Sequence, residues 1–174
     1  MTNPLDPVWE AYEAAKNALK VVRRCVTIPS IDADRPLRNT LFHHPQRDEC
    51  VRRLEKARTE LDDLAVLSLA ATFERNVRDR VIDAGARLSE VRPIDVGAAL
   101  ARLFESESEF WRVEDIVKVF ESVVGDAGVS DAMMIRRYRD WVAHGRNPKK
   151  PPGSRVTPKL AFDRLSDFLT KLQP

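Results

Sequence analysis

The segment RYRDWVAHGR at 137–146 carries the residues best suited to chemistry: Arg139, Asp140 and His144, followed directly by Gly145. An arginine stays charged at any physiological pH, and its planar guanidinium binds phosphate oxygens in pairs. A histidine exchanges protons near pH 7. RNA brings its own nucleophile, the 2′-hydroxyl. One arginine and one histidine acting on the same phosphodiester could therefore cleave RNA without a metal.

Two arginines precede the histidine at usable spacing. Arg139 is followed by the polar Asp140, whereas Arg137 is followed by Tyr138. At 100° per residue, the directions of Arg139 and His144 diverge by about 140°, while Arg137 lies about 20° from His144. A frayed last turn, or the assembly of two copies, would close the gap for Arg139. We take Arg139 as the first choice and Arg137 as the alternative catalytic arginine.

Asp140 and His144 stand four residues apart and share one helix face, so the carboxylate could orient the imidazole. A structural alternative exists for His144. A histidine at a helix C-terminus can simply interact with the free carbonyls and the helix dipole.

Positive charge is concentrated around this segment, although the net charge of the chain is only +2. Residues 136–155 hold seven basic residues and one acidic residue, which leaves the rest of the chain acidic on balance. Such a patch favours a phosphate-rich partner, and a solvated basic loop is the simpler alternative. We predict that RNA is bound by Arg146, Lys149, Lys150 and Arg155.

The elements that must position these residues are helical, because apolar residues recur at spacings of three and four and no strand-like alternation persists. No internal repeat or domain boundary is visible. We predict one all-α domain over residues 1–174, a bundle of about five helices. Helices are predicted near 5–23, 46–84, 95–105, 113–124, 130–143 and from Pro158 onward.

Several local signals refine these boundaries. The stretch LAVLSLAATF at 64–73 is apolar nearly all round, which predicts the most buried helix of the bundle. Gly85 is predicted as a helix C-cap, while Ser130 and Thr157 are predicted as N-caps. The acidic FESESEF at 104–110 is predicted as a solvated turn, with a contact surface for a partner protein as the alternative.

The frame R-D-W-V-A-H-G at 139–145, late in an all-α chain, resembles the signature of the HEPN superfamily. That signature is an arginine, a polar residue, and a histidine after four to six intervening positions. The resemblance implies a HEPN-like fold and a metal-independent endoribonuclease of toxin–antitoxin or phage-defence systems, without a cofactor. It implies Arg139, Asp140 and His144 as catalytic residues, with products ending in a 2′,3′-cyclic phosphate and a 5′-hydroxyl.

The resemblance also implies a symmetric homodimer whose two motifs line one cleft, with RNA as substrate and an antitoxin protein as a candidate partner. Family members paired with a nucleotidyltransferase often carry a tyrosine two positions after the histidine. Here that position is Arg146, so this mode of regulation is not carried over. Two alternatives stay open: a bundle that binds RNA or nucleotide without cutting it, and an interaction module for an acidic partner.

Other features exclude or weaken further classes. His43 and His44 precede Cys50, but no fourth zinc ligand follows at a useful spacing, so no metal site is predicted.

Glu74 is expected to face solvent, with pairing to the motif arginine as the alternative. No segment reaches the roughly 18 apolar residues of a membrane span, and the start does not resemble a signal peptide. Two widely spaced cysteines, Cys25 and Cys50, predict reduced thiols and a cytoplasmic protein.

Overall fold

The computed structural model describes residues 2–28, 35–43, 46–108 and 110–173. In these ranges the chain is all-α and contains no strand, which confirms the predicted fold class, with six α-helices where about five were expected. Two short 3-10 turns lie at Arg35–Leu37 and Arg87–Glu90. The helices are α1 (Asp6–Thr27), α2 (Arg47–Ala86), α3 (Ile94–Ser108), α4 (Val113–Val119), α5 (Glu121–Ala143) and α6 (Pro158–Lys171).

The long helix α2 is the centre of the bundle and contacts each of the other five helices. Its Leu69, Phe73 and Val77 are fully buried in the main core. The Phe73 ring meets the Phe168 ring of α6 edge to face, with centroids 5.0 Å apart. Burying a side chain of this size contributes roughly 1.5–3 kcal/mol, so α2 anchors every other helix.

The apolar stretch of α2 is not buried all round, which corrects the prediction for 64–73. Val66, Leu69 and Ala70 are buried, but Ser68 and Ala71 are exposed, and Leu64 is 57% exposed. One face of this stretch packs into the bundle. The opposite face is partly open, and Leu64 and Ser68 line a surface hollow with Pro7, Val8 and Ala11 of α1.

The predicted ends of α2 and α3 are both wrong. Gly85 is not the C-cap but a buried residue inside α2, and the ring of Phe104 occupies the space that a Cβ would take. Helix α3 then continues to Ser108, so Glu105 and Glu107 are exposed residues of its last turns and not part of a loop. Residue 109 lies outside the described residues.

A third boundary is also displaced. Helix α4 ends at Val119, and the backbone of Gly125 (φ 78°, ψ 163°) breaks the helical geometry near the start of α5. Ser130 therefore lies within α5 and caps nothing. Thr157 is the N-cap of α6 as predicted, because its hydroxyl accepts a hydrogen bond from the Leu160 N–H at 3.2 Å.

None of the helices described is both long enough and apolar enough to cross a bilayer. Cys25 and Cys50 are free thiols.

Candidate active site at the end of helix α5

The candidate site begins where α5 ends. Gly145 adopts a left-handed conformation (φ 81°), which glycine enters without steric cost. The N–H of Gly145 then donates to the Val142 carbonyl at 3.1 Å, and the N–H of Arg146 donates to the Trp141 carbonyl at 2.9 Å. These two bonds define a Schellman C-cap. The chain thus turns sharply after His144 and enters the basic loop.

The last turn of α5 is intact. The N–H of His144 still donates to the Asp140 carbonyl at 3.0 Å, so the fraying that would swing His144 towards Arg139 does not occur. The imidazole of His144 is exposed, and no hydrogen bond or ion pair joins it to any side chain among the described residues.

Arg139 is held on both sides by carboxylates. One guanidinium nitrogen donates to Asp140 Oδ1 at 2.8 Å, and the other lies 3.4 Å from Glu74 Oε2 on α2. The hydrogen bond to Asp140, followed by the charge of Glu74, raises the pKa of Arg139. The side chain remains 31% exposed, so the charge is positioned but not sealed away from a ligand.

Glu74 is not solvent-facing, which corrects the prediction, and the alternative of pairing with the motif arginine is confirmed. Its side chain is 16% exposed, and Arg136 Nε also approaches it at 4.0 Å. Burial raises the pKa of Glu74, while the charges of Arg139 and Arg136 oppose that rise. Arg136 in turn pairs with Glu114 of α4, so the network ties α2, α4 and α5 together.

The single chain does not bring Arg139 and His144 to one point. With the helix intact, their directions keep the separation of about 140°. The Asp140 carboxylate bonds Arg139 and not His144. Arg137 is exposed, has no ion pair in the described part of the chain, and lies on the same face as His144. Within one copy, the accessible pair is therefore Arg137 and His144.

Arg146, predicted to bind RNA, is instead clamped by acidic residues of α2. Its guanidinium forks onto Glu60 with bonds of 2.8 and 2.7 Å and lies 2.6 Å from Asp63 Oδ2. The bond to Glu60, followed by the charge of Asp63, raises the pKa of Arg146. This residue anchors the start of the basic loop, and its contact with RNA stays a prediction. Its side chain is 33% exposed, about as much as that of Arg139, and each of the two guanidinium groups is shared between two carboxylates.

The prediction from sequence missed Asp63, which completes this clamp. Asp63 is 5% exposed, and its second oxygen accepts from the Tyr138 hydroxyl at 2.7 Å. Burial and the bond to Asp63 raise the pKa of Tyr138 to about 12. The sequence did contain a signal, because Asp63 stands directly before the apolar stretch at 64–73, which was expected to be buried. A carboxylate buried there needs a charged or hydrogen-bonding partner.

The other three predicted RNA-binding residues present free charge. Lys149, Lys150 and Arg155 are exposed, and none forms an ion pair with a carboxylate among the residues the structure covers. All three lie in the loop that connects α5 to α6.

No protein-family model, curated protein or solved structure matches this chain.

The zinc alternative gains no ligand set. Within the described ranges, no group of three or more histidine, cysteine, aspartate or glutamate side chains is placed to hold a metal ion. Cys50 is buried, and its thiol donates to the Phe42 carbonyl at 3.1 Å. His44 lies outside the described residues.

Proposed function

We propose that this chain is a metal-independent endoribonuclease of the HEPN type, a cytoplasmic homodimer that serves in a toxin–antitoxin or phage-defence system. The observation that carries the proposal is the exposed imidazole of His144 at a helix end, which has no side-chain partner among the described residues. The loop that follows it carries Lys149, Lys150 and Arg155, which pair with no carboxylate in the same ranges. Arg139, one turn earlier, is fixed by two carboxylates and still reaches solvent.

In the proposed reaction, the 2′-oxygen of the RNA attacks the adjacent phosphorus and the 5′-oxygen of the next nucleotide leaves. In one form of the step, His144 removes the 2′-hydroxyl proton and water protonates the departing oxygen. In the other, His144 protonates the departing oxygen and water accepts the 2′-hydroxyl proton. Either role is typically worth about 10²–10⁴-fold in rate. Arg139 forks onto the non-bridging oxygens and stabilises the charge that builds there. The products are a 2′,3′-cyclic phosphate and a 5′-hydroxyl.

A dimer is part of the proposal because Arg139 and His144 diverge within one copy. The exposed face of α2 offers the surface for it. At 100° per residue, Leu64 and Ala71 lie within about 40° of Glu60 on the helix wheel. Along the helix they lie between Glu60, which holds Arg146, and Glu74, which holds Arg139. In the proposal a second copy packs on Leu64 and Ala71, and its His144 works with Arg139.

RNA binding in the proposal depends on Lys149, Lys150 and Arg155, since the Arg146 charge is compensated. Single-stranded binding through three phosphates should weaken with salt at a log–log slope of about −2, and four contacts would give about −3.

The deciding experiment compares the wild-type protein with His144→Ala on single-stranded RNA in the presence of EDTA. We expect cleavage by the wild type, with cyclic phosphate ends, and a loss of about 10²–10⁴-fold in His144→Ala. His43→Ala is the matched control because His43 is an exposed histidine outside the site, and this variant should cleave normally. Equal cleavage by His144→Ala and the wild type would overturn the proposal.

A second candidate function is RNA binding without cleavage. The observation that favours it is the engagement of Arg139 by Glu74 and Asp140, which leaves this arginine apart from His144 within one copy. Retention of RNA in a gel shift, with no shortening of the RNA at any protein concentration, would select this function.

A further inference from the structure

A groove opens beside the candidate site, between α2, the end of α5 and the basic loop. It has a volume of about 460 Å³, which lies in the range of small-ligand pockets. We propose that this groove binds a guanine base of single-stranded RNA, an inference that rests on the proposed function and deepens it. The walls include Thr59, Tyr138, Trp141, Pro151, Pro152 and Arg155.

The groove is formed before any ligand arrives, because its outer wall is a pinned loop. The clamp of Arg146 on Glu60 and Asp63 holds the start of the loop. The indole N–H of Trp141 donates to the Asn147 carbonyl at 3.0 Å, and the Asn147 side chain accepts from the Lys149 N–H at 3.0 Å. A site fixed in this way loses little conformational entropy on binding.

Stacking surface is available on the groove walls. Trp141 is half-buried, its ring lies tilted against Tyr138 with centroids 5.8 Å apart, and prolines line the loop side. Flat aromatic and apolar walls bind the faces of bases, and this stacking tolerates every base. The walls thus favour a nucleobase, and another group must select among the four.

Arg155 supplies that selection. In this inference it contacts the base instead of a phosphate, which leaves Lys149 and Lys150 to bind the RNA backbone. The other arginine of the groove, Arg146, is compensated by two carboxylates, whereas Arg155 is exposed and pairs with no carboxylate in the part of the chain that the structure covers. The Arg155 guanidinium hydrogen-bonds the Tyr138 hydroxyl, which fixes it at the groove wall. This contact lowers the pKa of Tyr138, against the larger effects of burial and Asp63, which raise it. A guanidinium contacts O6 and N7 of guanine together, while adenine offers a donor in place of O6.

The position of the groove links it to cleavage. Trp141 stands three residues before His144 on α5, less than one helical turn away. A guanine stacked on Trp141 would therefore bring a neighbouring phosphate to the exposed imidazole, and cleavage would occur next to guanine.

The test uses fluorescein-labelled trideoxynucleotides d(TGT), d(TAT), d(TCT) and d(TTT), which lack the 2′-hydroxyl and cannot be cut. Their dissociation constants are measured by fluorescence anisotropy. We expect d(TGT) to bind about 10-fold more tightly than the other three. Arg155→Lys keeps the charge but loses the fork, so it should bind all four equally. Lys150→Ala, which removes a phosphate contact, should weaken all four by the same factor.

Equal affinity of the wild type for the four oligonucleotides, or no detectable binding, would overturn the inference. So would an unchanged d(TGT) preference in Arg155→Lys. The corresponding ribonucleotides separate this inference from the proposed function. A preference for d(TGT) without cleavage of any RNA supports guanine binding in the groove and rules out the nuclease activity. Cleavage without a preference for guanine supports the nuclease activity and rules out guanine binding in the groove.

Discussion

The guanidinium of Arg139 lies 3.4 Å from the Glu74 carboxylate across the α2–α5 contact, and Asp140 holds its other edge at 2.8 Å. The arginine is therefore oriented by residues from two helices before a substrate binds. Arg137, two residues earlier, is exposed and has no such support. The two candidate arginines therefore differ in how firmly their charge is positioned before a substrate binds, and substitution of each one tests that difference.

Removal of the preorganised arginine should affect catalysis more than removal of the free one. We expect Arg139→Ala to lower kcat on RNA by about 10²–10³-fold, the usual loss when a positioned charge stabiliser is deleted. Arg137→Ala should change affinity modestly, because it loses one phosphate contact. The measurement is single-turnover cleavage of a labelled RNA. An inactive Arg137→Ala together with an active Arg139→Ala would assign the role to the alternative arginine.

Mixing two inactive variants tests whether the site is shared between copies. If Arg139 of one subunit works with His144 of the other, an Arg139→Ala and His144→Ala heterodimer holds one intact site out of two. Equal mixing after unfolding and refolding together should give about one quarter of the wild-type activity, because half of the dimers are mixed. A site built within one chain would give no recovery.

Disruption of the exposed strip on α2 should separate the two copies without unfolding them. We expect Leu64→Glu to be a monomer in sedimentation velocity, and to lose cleavage with its dimer, since a charge placed in an apolar interface is costly. Val21→Glu on α1 is the matched control because both side chains are 57% exposed. Dimerisation of Leu64→Glu at the wild-type affinity would place the interface elsewhere.

The sequence was sufficient to predict the helical fold, the Thr157 cap and the helix end at Gly145. These features depend on local chemistry, namely apolar spacing, a hydroxyl at an N-cap and a glycine that enters a left-handed turn. The positions that were wrong depend on long-range contacts. Gly85 was predicted as a helix C-cap, but it lies inside α2, where the absence of a Cβ leaves room for the Phe104 ring of α3.

The candidate site shows the same division. The residue types at 139–144 could be recognised from spacing, whereas the partners Glu74 and Asp63 come from α2, more than sixty residues earlier. Leu64 marks another limit. Its apolar surroundings predicted burial, yet one chain leaves it exposed. A periodic pattern does not distinguish burial within a chain from burial between chains.

The buried carboxylate of Asp63 should be important for stability. Asp63→Ala would leave the Tyr138 hydroxyl and part of the Arg146 guanidinium without partners, and we expect a loss of about 3 kcal/mol in the free energy of unfolding. Tyr138→Phe removes a single hydrogen bond and should cost about 1 kcal/mol. Urea unfolding followed by circular dichroism measures both. A smaller loss for Asp63→Ala than for Tyr138→Phe would show that the clamp contributes nothing.

Glu74 should give the protein a pH-dependent component of stability with an uncommon sign. Burial raises its pKa in the folded state above the ordinary value of about 4.3, and the charges of Arg139 and Arg136 reduce that rise without cancelling it. Between the two pKa values the folded state binds the proton that the unfolded state has lost. The contribution is therefore fully present below the unfolded pKa and is lost as the pH rises through the folded one.

The substitution Glu74→Gln removes this pH-dependent part of the free energy of unfolding, because glutamine does not titrate. We expect the free energy of unfolding of the wild type, relative to that of Glu74→Gln, to fall as the pH is raised from about 4 to about 7. Glu114→Gln supplies a control of opposite sign. The hydrogen bond from Arg136 lowers the pKa of Glu114. The wild type should therefore gain on this variant as the pH rises towards the unfolded pKa of about 4.3, and the difference should stay level above it. Urea titrations at several pH values measure both differences. A Glu74→Gln difference that is flat with pH would mean that Glu74 is solvated in solution, and that Arg139 is not held as the structure shows.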